Sequence, residues 1–131
     1  MIEIQEPIWI PLELIEEIHR IQLQRFGGLQ GMRDRVALES ALGRPQNQWA
    51  YENADIPALA AAYGFALARN HAFNDGNKRV ALLAIVTFLG LNGIDFVVEE
   101  ADFVAVIIDL AAGLIDEHGL TNWIKDNYPQ S

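Results

Sequence analysis

The chain has 131 residues, enough for one domain and too few for two. Apolar residues make up 51% and charged residues 21%, which supports a packed core and excludes wholesale disorder. A net charge of −9 argues against direct binding to a nucleic-acid backbone, and the absence of cysteine excludes disulfides, zinc–thiolate sites and a thiol nucleophile.

Taken in chain order, the pattern is helical. The first six residues lack the basic and apolar blocks of a signal peptide. Pro11 opens a first helix, with Leu14, Ile18 and Ile21 on one face, and Gly27-Gly28 stops it. Asp34 caps a second helix that is expected to end at Gly43. Asp55 or Pro57 opens a third, alanine-rich helix through about Arg69. A fourth starts at Asp75 or Gly76 and runs to Asn92, with Gly93 just beyond it. Its Val80–Leu91 stretch is apolar almost all round, which suits the centre of a bundle and is too short to span a bilayer. A fifth covers roughly Glu100 to Ala112, and Thr121 caps a short sixth through Asn127. Ile2–Ile4 and Ile94–Val98 could be extended, but no hairpin signal ties them into a sheet. The expectation is an all-α bundle, soluble and cytoplasmic, with residues 1–131 forming a single domain.

Charge is unevenly placed. Seven acids and no Lys or Arg lie between Val80 and Ile124, whereas Arg69, His71, Lys78 and Arg79 cluster against Asp75 alone. This basic island in an acidic chain either marks an anion site or is ordinary surface charge. The segment Arg69–Arg79 favours the first reading, because it ends at a helix N-terminus, where unpaired N–H groups and the positive dipole end attract phosphate. Gly76 would let a phosphate approach the backbone, and Lys78 and Arg79 supply a point charge and a fork. Two cations there oppose the macrodipole at about 0.3–1 kcal/mol each, a cost that a bound anion would offset. Asp75 is either the helix N-cap or a ligand for Mg²⁺ beside phosphate. His71 is either a hydrogen-bonded loop residue or a general base for a hydroxyl nucleophile. Phe73 reads most simply as a core anchor.

The run His71-Ala-Phe-Asn-Asp-Gly-Asn-Lys-Arg79 resembles the H-x-F-x-D-G-N-x-R signature of Fic/Doc proteins. Lys78 matches the Doc ("death on curing") branch, whereas the Fic branch has a second Gly there. Ile18-His19, Gly27–Asp34, Leu38–Leu42, Leu59–Ala61, Phe88-Leu89 with Asn92-Gly93, and Trp123-Ile124 resemble flanking Doc segments, so the likeness spans nearly the whole chain. Ala72 departs from the Pro of many Fic proteins without removing a chemical group.

The resemblance implies a compact helical bundle and a phosphoryl-transfer enzyme using ATP and Mg²⁺. Doc-like members phosphorylate a threonine of elongation factor Tu, a translation factor; Fic-branch members transfer a nucleotidyl group such as AMP. By the same resemblance His71 is the base and Asp75 the Mg²⁺ ligand, Gly76, Asn77, Lys78 and Arg79 form the phosphate cradle, and Arg69 adds a phosphate contact. Gln46–Asn53 falls where the family has a target-aligning flap, and by itself reads as a plain loop. The family's inhibitory S/T-x-x-x-E-G/N motif does not occur in this chain, so restraint is expected from a cognate antitoxin. A catalytically weak antitoxin-binding module is the non-enzymatic alternative.

Overall fold

The computed structural model describes residues 5–129, and these form six helices. They are α1 (Leu12–Phe26), α2 (Arg35–Glu52), α3 (Ile56–Arg69), α4 (Asn77–Leu91), α5 (Glu100–Ala111) and α6 (Glu117–Asp126). No strand occurs among the described residues, and no helix there is long and apolar enough to cross a membrane. Ile2–Ile4 lie outside the described residues, and the segment 94–98 forms no regular element.

Local signals set most boundaries. Pro11 sits at the cap of α1, and Gly27 ends that helix at φ 75°. Asp34 caps α2 through the N–H of Ala37, and Asp55 caps α3 through the N–H of Ala58. Two expectations are corrected. The sixth helix begins before Thr121, because Asp116 accepts from the Gly119 N–H at 2.7 Å; the Thr121 hydroxyl donates back to the Glu117 carbonyl instead. The second helix passes Gly43 and keeps Pro45 inside it, so Gln46–Glu52 are helical rather than a plain loop. Contacts on both sides of the proline hold the helix together across it. Arg44 pairs with Glu117 and lies over the Phe65 ring, Gln48 donates to Glu117 at 2.9 Å, and Trp49 meets Trp9 edge-on. Tertiary packing here outweighs the lost backbone bond.

The interior is shared by α4, as its composition predicts, and by α3, which packs against α2, α4, α5 and α6. Small side chains make this possible. A Cβ at Gly64 would come within 2.6 Å of Ile85 Cδ1, so α3 and α4 touch only because Gly64 has none. Tyr63, Leu67, Ile85, Phe88 and Leu89 are fully buried between them, each worth about 1.5–3 kcal/mol of apolar burial. Asn92 ties the chain start to the end of α4, accepting from the Ile8 N–H at 2.8 Å and donating to the Ile8 carbonyl at 3.0 Å. Phe96, Phe103 and Trp123 form an aromatic cluster that seats α5 and α6. The α3–α4 pair is therefore the rigid frame, and the loop joining its members carries the charge cluster.

Candidate active site

The loop 70–76 is anchored at several of its peptides. The Ala72 carbonyl accepts from the N–H groups of Arg33 and Asp34 at 2.8 and 3.0 Å, and Asn74 N–H donates to the Gly31 carbonyl at 3.2 Å. Phe73 forms an isolated antiparallel bridge with Met32, and its ring is buried, as expected of a core anchor. Asn77, in the first turn of α4, braces the loop from the other side. Its Oδ1 accepts from the Phe73 N–H at 3.1 Å, and its Nδ2 donates to the Phe73 carbonyl at 3.0 Å. The side chain of Asn77 thus braces the loop, and its backbone N–H is open to a ligand.

The loop rims a cleft of about 590 Å³. His71, Asp75, Gly76, Asn77, Lys78 and Arg79 line one side; Leu82 of α4 and Val104, Ile107, Ile108 and Ala111 of α5 line the other. Polar groups converging opposite an apolar wall are the usual make-up of a ligand site. His71 is exposed and held at φ 51°, in the left-handed region where a residue with a Cβ is strained. Gly76 also has positive φ, 81°, and takes the cap position of α4.

Of the two roles open to Asp75, capping α4 is not the one it takes: Gly76 holds the cap position and no side chain caps that helix. The Asp75 carboxylate turns the other way, with Oδ1 accepting from the Gly76 N–H at 2.9 Å and Oδ2 from the Leu29 N–H at 3.2 Å. Gly28 makes this approach possible, since a Cβ there would lie 2.7 Å from Asp75 Oδ2. Each oxygen keeps a further acceptor direction.

Among the described residues the ion pairs engage Arg20, Arg35, Arg44 and Lys125; Lys78, Arg79 and Arg69 are in none. Arg79 rests over the ring of Phe26, at the end of α1. The start of α4 therefore presents open N–H groups and two cations without carboxylate partners, an arrangement suited to an anion. Arg69 stands apart from the cleft lining, its guanidinium 5.3 Å from the centroid of Phe65.

Mg²⁺ suits this donor set. Among the described residues no group of three or more His, Asp or Glu gathers to cage a metal, and Asp75 is a single exposed carboxylate in the lining of the cleft. Mg²⁺ commonly takes one or two carboxylates and completes its shell with water and phosphate.

Sequence reading located the motif and marked Ile18-His19 and Gly27–Asp34 as similar flanking segments, without showing that they touch it. His19, Phe26, Gly28 and the N–H of Leu29 all contact motif residues from α1 or its following turn. One signal was available for His19: it sits four residues after Ile15, on the buried face of α1.

Comparison with known proteins agrees with this geometry. The sequence model of the Fic/DOC family matches residues 9–89. The chain is 36% identical over 119 residues to "Protein kinase doc" of Escherichia phage P1, covering 90% of this chain and 93% of that protein. It is 45% identical over 84 residues to "Toxin Doc" of Mycolicibacterium smegmatis, covering 59% of this chain and 64% of that protein. The matched region contains the whole loop, its anchors and the start of α4, and the chain belongs to the Fic/DOC family.

Proposed function

We propose that this protein is the toxin of a toxin–antitoxin pair and acts as a serine/threonine protein kinase. The reading takes residues 1–131 as one Fic/Doc domain working in the cytoplasm. ATP is the phosphoryl donor, and the acceptor is a hydroxyl of a translation factor, elongation factor Tu by family resemblance. The observation that carries the reading is one cleft holding His71, Asp75 and the uncapped start of α4 with Lys78 and Arg79. The names of the two relatives point the same way.

In this reading the acceptor oxygen attacks the γ-phosphorus while the bond to the β,γ-bridging oxygen breaks, and ADP leaves with that electron pair. The hydroxyl proton passes to the imidazole of His71. Backbone N–H groups of α4, with Lys78 and Arg79, hold the phosphate oxygens and offset the charge they carry. Asp75 would hold Mg²⁺, which neutralises phosphate charge and orients the donor when bound. Gly76 and the backbone of Asn77 let the phosphates come close. Arg69 would have to leave the Phe65 ring to add a phosphate contact.

The apolar wall from Val104 to Ala111 gives an antitoxin segment somewhere to lay an apolar face, and the acidic surface of α5 favours a basic polar edge on that partner. AMP transfer is the rival chemistry, and Lys78 disfavours it, since a long cation fills the place of the Gly found in the Fic branch. Incubation with a translation factor, Mg²⁺ and ATP labelled at the γ or the α position separates these readings. Label arriving only from γ is expected. Label from α would establish AMP transfer, and none from either would leave a binding module.

A further inference from the structure

We propose that His19, on α1 and outside the motif, is a positioning residue for this site: it sets the Asp75–Gly76 peptide and thereby aims the Asp75 carboxylate and the first N–H groups of α4. The proposal rests on the phosphoryl-transfer reading of the cleft.

Apart from the Tyr63 hydroxyl, which accepts from the Ile10 N–H, the buried polar side chains among the described residues are His19 and Thr121. Thr121 is accounted for by its bond to the Glu117 carbonyl one turn back in its own helix. His19 reaches across the fold instead. Its Nε2 lies 2.9 Å from the carbonyl oxygen of Asp75, 56 residues away. A carbonyl can only accept, so Nε2 carries the hydrogen. The imidazole also stacks on Phe73, with centroids 3.9 Å apart and planes 15° from parallel. A Cβ added at Gly76 would meet His19 Cδ2 at 3.6 Å, so the ring packs directly beneath the turn into α4.

The loop peptides at Ala72, Phe73 and Asn74 are fixed by backbone bonds to residues 31–34 or by Asn77. Asp75 sits just before the helix, and its carbonyl is outside the α4 ladder, which begins with Val80 N–H to Gly76 carbonyl. Its hydrogen bond comes from His19. Rotation of this one peptide would swing the Gly76 N–H away from Asp75 Oδ1, and the carboxylate would lose the bond that orients that oxygen. A general base or a phosphate ligand could stay in place while the carboxylate missed the metal. His19 thus acts on the reaction through Asp75 and touches no reacting atom.

Two substitutions separate the ring from the donor. His19→Phe keeps an aromatic face against Phe73 and removes the N–H; His19→Gln loses the ring and places an amide N–H near the position of Nε2. Three readouts apply to each folded variant: kcat and KM for γ-phosphoryl transfer, the Mg²⁺ concentration for half-maximal binding of ATP by calorimetry, and the backbone amide shifts of Gly76 and Asn77 by NMR. In His19→Phe, kcat should fall at least tenfold with KM for the protein acceptor unchanged. Its Mg²⁺ requirement should rise severalfold, and both amide resonances should move. His19→Gln should stay within a few-fold of the parent in rate and metal requirement, with resonances near their original places. Parent-like metal requirement and amide shifts in His19→Phe would overturn the proposal. So would an equal loss in both variants that tracks their thermal stability, which is the behaviour of a purely structural histidine. If the parent protein transfers no γ-phosphate, the kinase reading fails on its own, and the amide shifts and Mg²⁺ titration still decide the role of His19.

Discussion

The guanidinium of Arg79 lies 4.4 Å from the centroid of the Phe26 ring, so the last residue of α1 supports a cation of the first turn of α4. Phe26 is 52% exposed, and Arg25 approaches the same ring at 5.4 Å. An exposed cation–π contact is worth about 0.5–1 kcal/mol, enough to bias a flexible side chain toward one place. Phe26→Ala should therefore raise the KM for ATP a few-fold with little change in melting temperature. Arg79→Lys should do more harm, because the fork that matches two phosphate oxygens is lost. Steady-state kinetics at varied ATP checks both.

His71 offers a test in which activity and stability part company. As the general base, His71→Ala should lose a factor of about 10²–10⁴ in rate. The same residue is held at φ 51°, a conformation glycine adopts without a Cβ penalty. His71→Gly should be as inactive as His71→Ala yet more stable than it, by about 1 kcal/mol. Urea denaturation of the two variants side by side measures the difference.

Asp75→Asn is not a silent isostere here. The carboxylate accepts from two backbone N–H groups on different oxygens, and a carboxamide can replace only one of those acceptors. The variant should lose about 1 kcal/mol of stability from the broken bond. Its phosphoryl transfer should fall and be partly restored by excess Mg²⁺. Activity unresponsive to the metal would remove Asp75 from the metal site.

Gly28→Ala should behave as a remote lesion of Asp75. The residue sits at φ +123°, and the new Cβ would lie 2.7 Å from an oxygen already held by Leu29. The carboxylate must move. A drop in activity larger than the loss of thermal stability explains is expected.

Tyr63 gives the pH dependence. Burial raises its hydroxyl above the ordinary value near 10.0, partly countered by the hydrogen bond from the Ile10 N–H. The folded protein therefore favours the neutral phenol. That contribution is complete below the pH at which unfolded tyrosine ionises, and it is lost as pH rises through the higher folded value. Alkaline destabilisation above about pH 10 should shrink in Tyr63→Phe. At neutral pH the variant should be less stable by about 1–3 kcal/mol, because the Ile10 N–H is left unpaired. Denaturation curves at pH 7 and above pH 10 separate the two effects.

What the sequence discloses depends on how near in the chain the causes lie. Pro11, Asp34, Asp55 and Gly27 act on residues within one turn, and the helices they bound are where those signals place them. The second helix was hidden past Gly43 because Glu117, Phe65 and Trp9 hold it together around Pro45. Thr121 was a plausible cap, but Asp116 stood five positions earlier and took the role. The motif is legible because its residues are consecutive. His19 and Leu29 are separated from Asp75 by 56 and 46 positions, so periodicity could show that His19 was buried but not what it held.

The motif loop is stitched at both ends to helices whose inner faces are the core itself, from Leu67 and Ala68 on one side to Val80 and Ala81 on the other. Bonds to residues 31–34 and to Asn77 hold its middle as well. Releasing the loop means releasing α3 from α4, which is the unfolding of the molecule. Amide protons bonded into it, those of Arg33 and Asp34 included, should exchange with deuterium only as fast as the whole chain opens, although both residues lie at the surface. A protease should likewise find no place to nick the loop in the folded state. In the proposed reading, an antitoxin would then silence the cleft by standing in the way and not by pulling the loop out of shape.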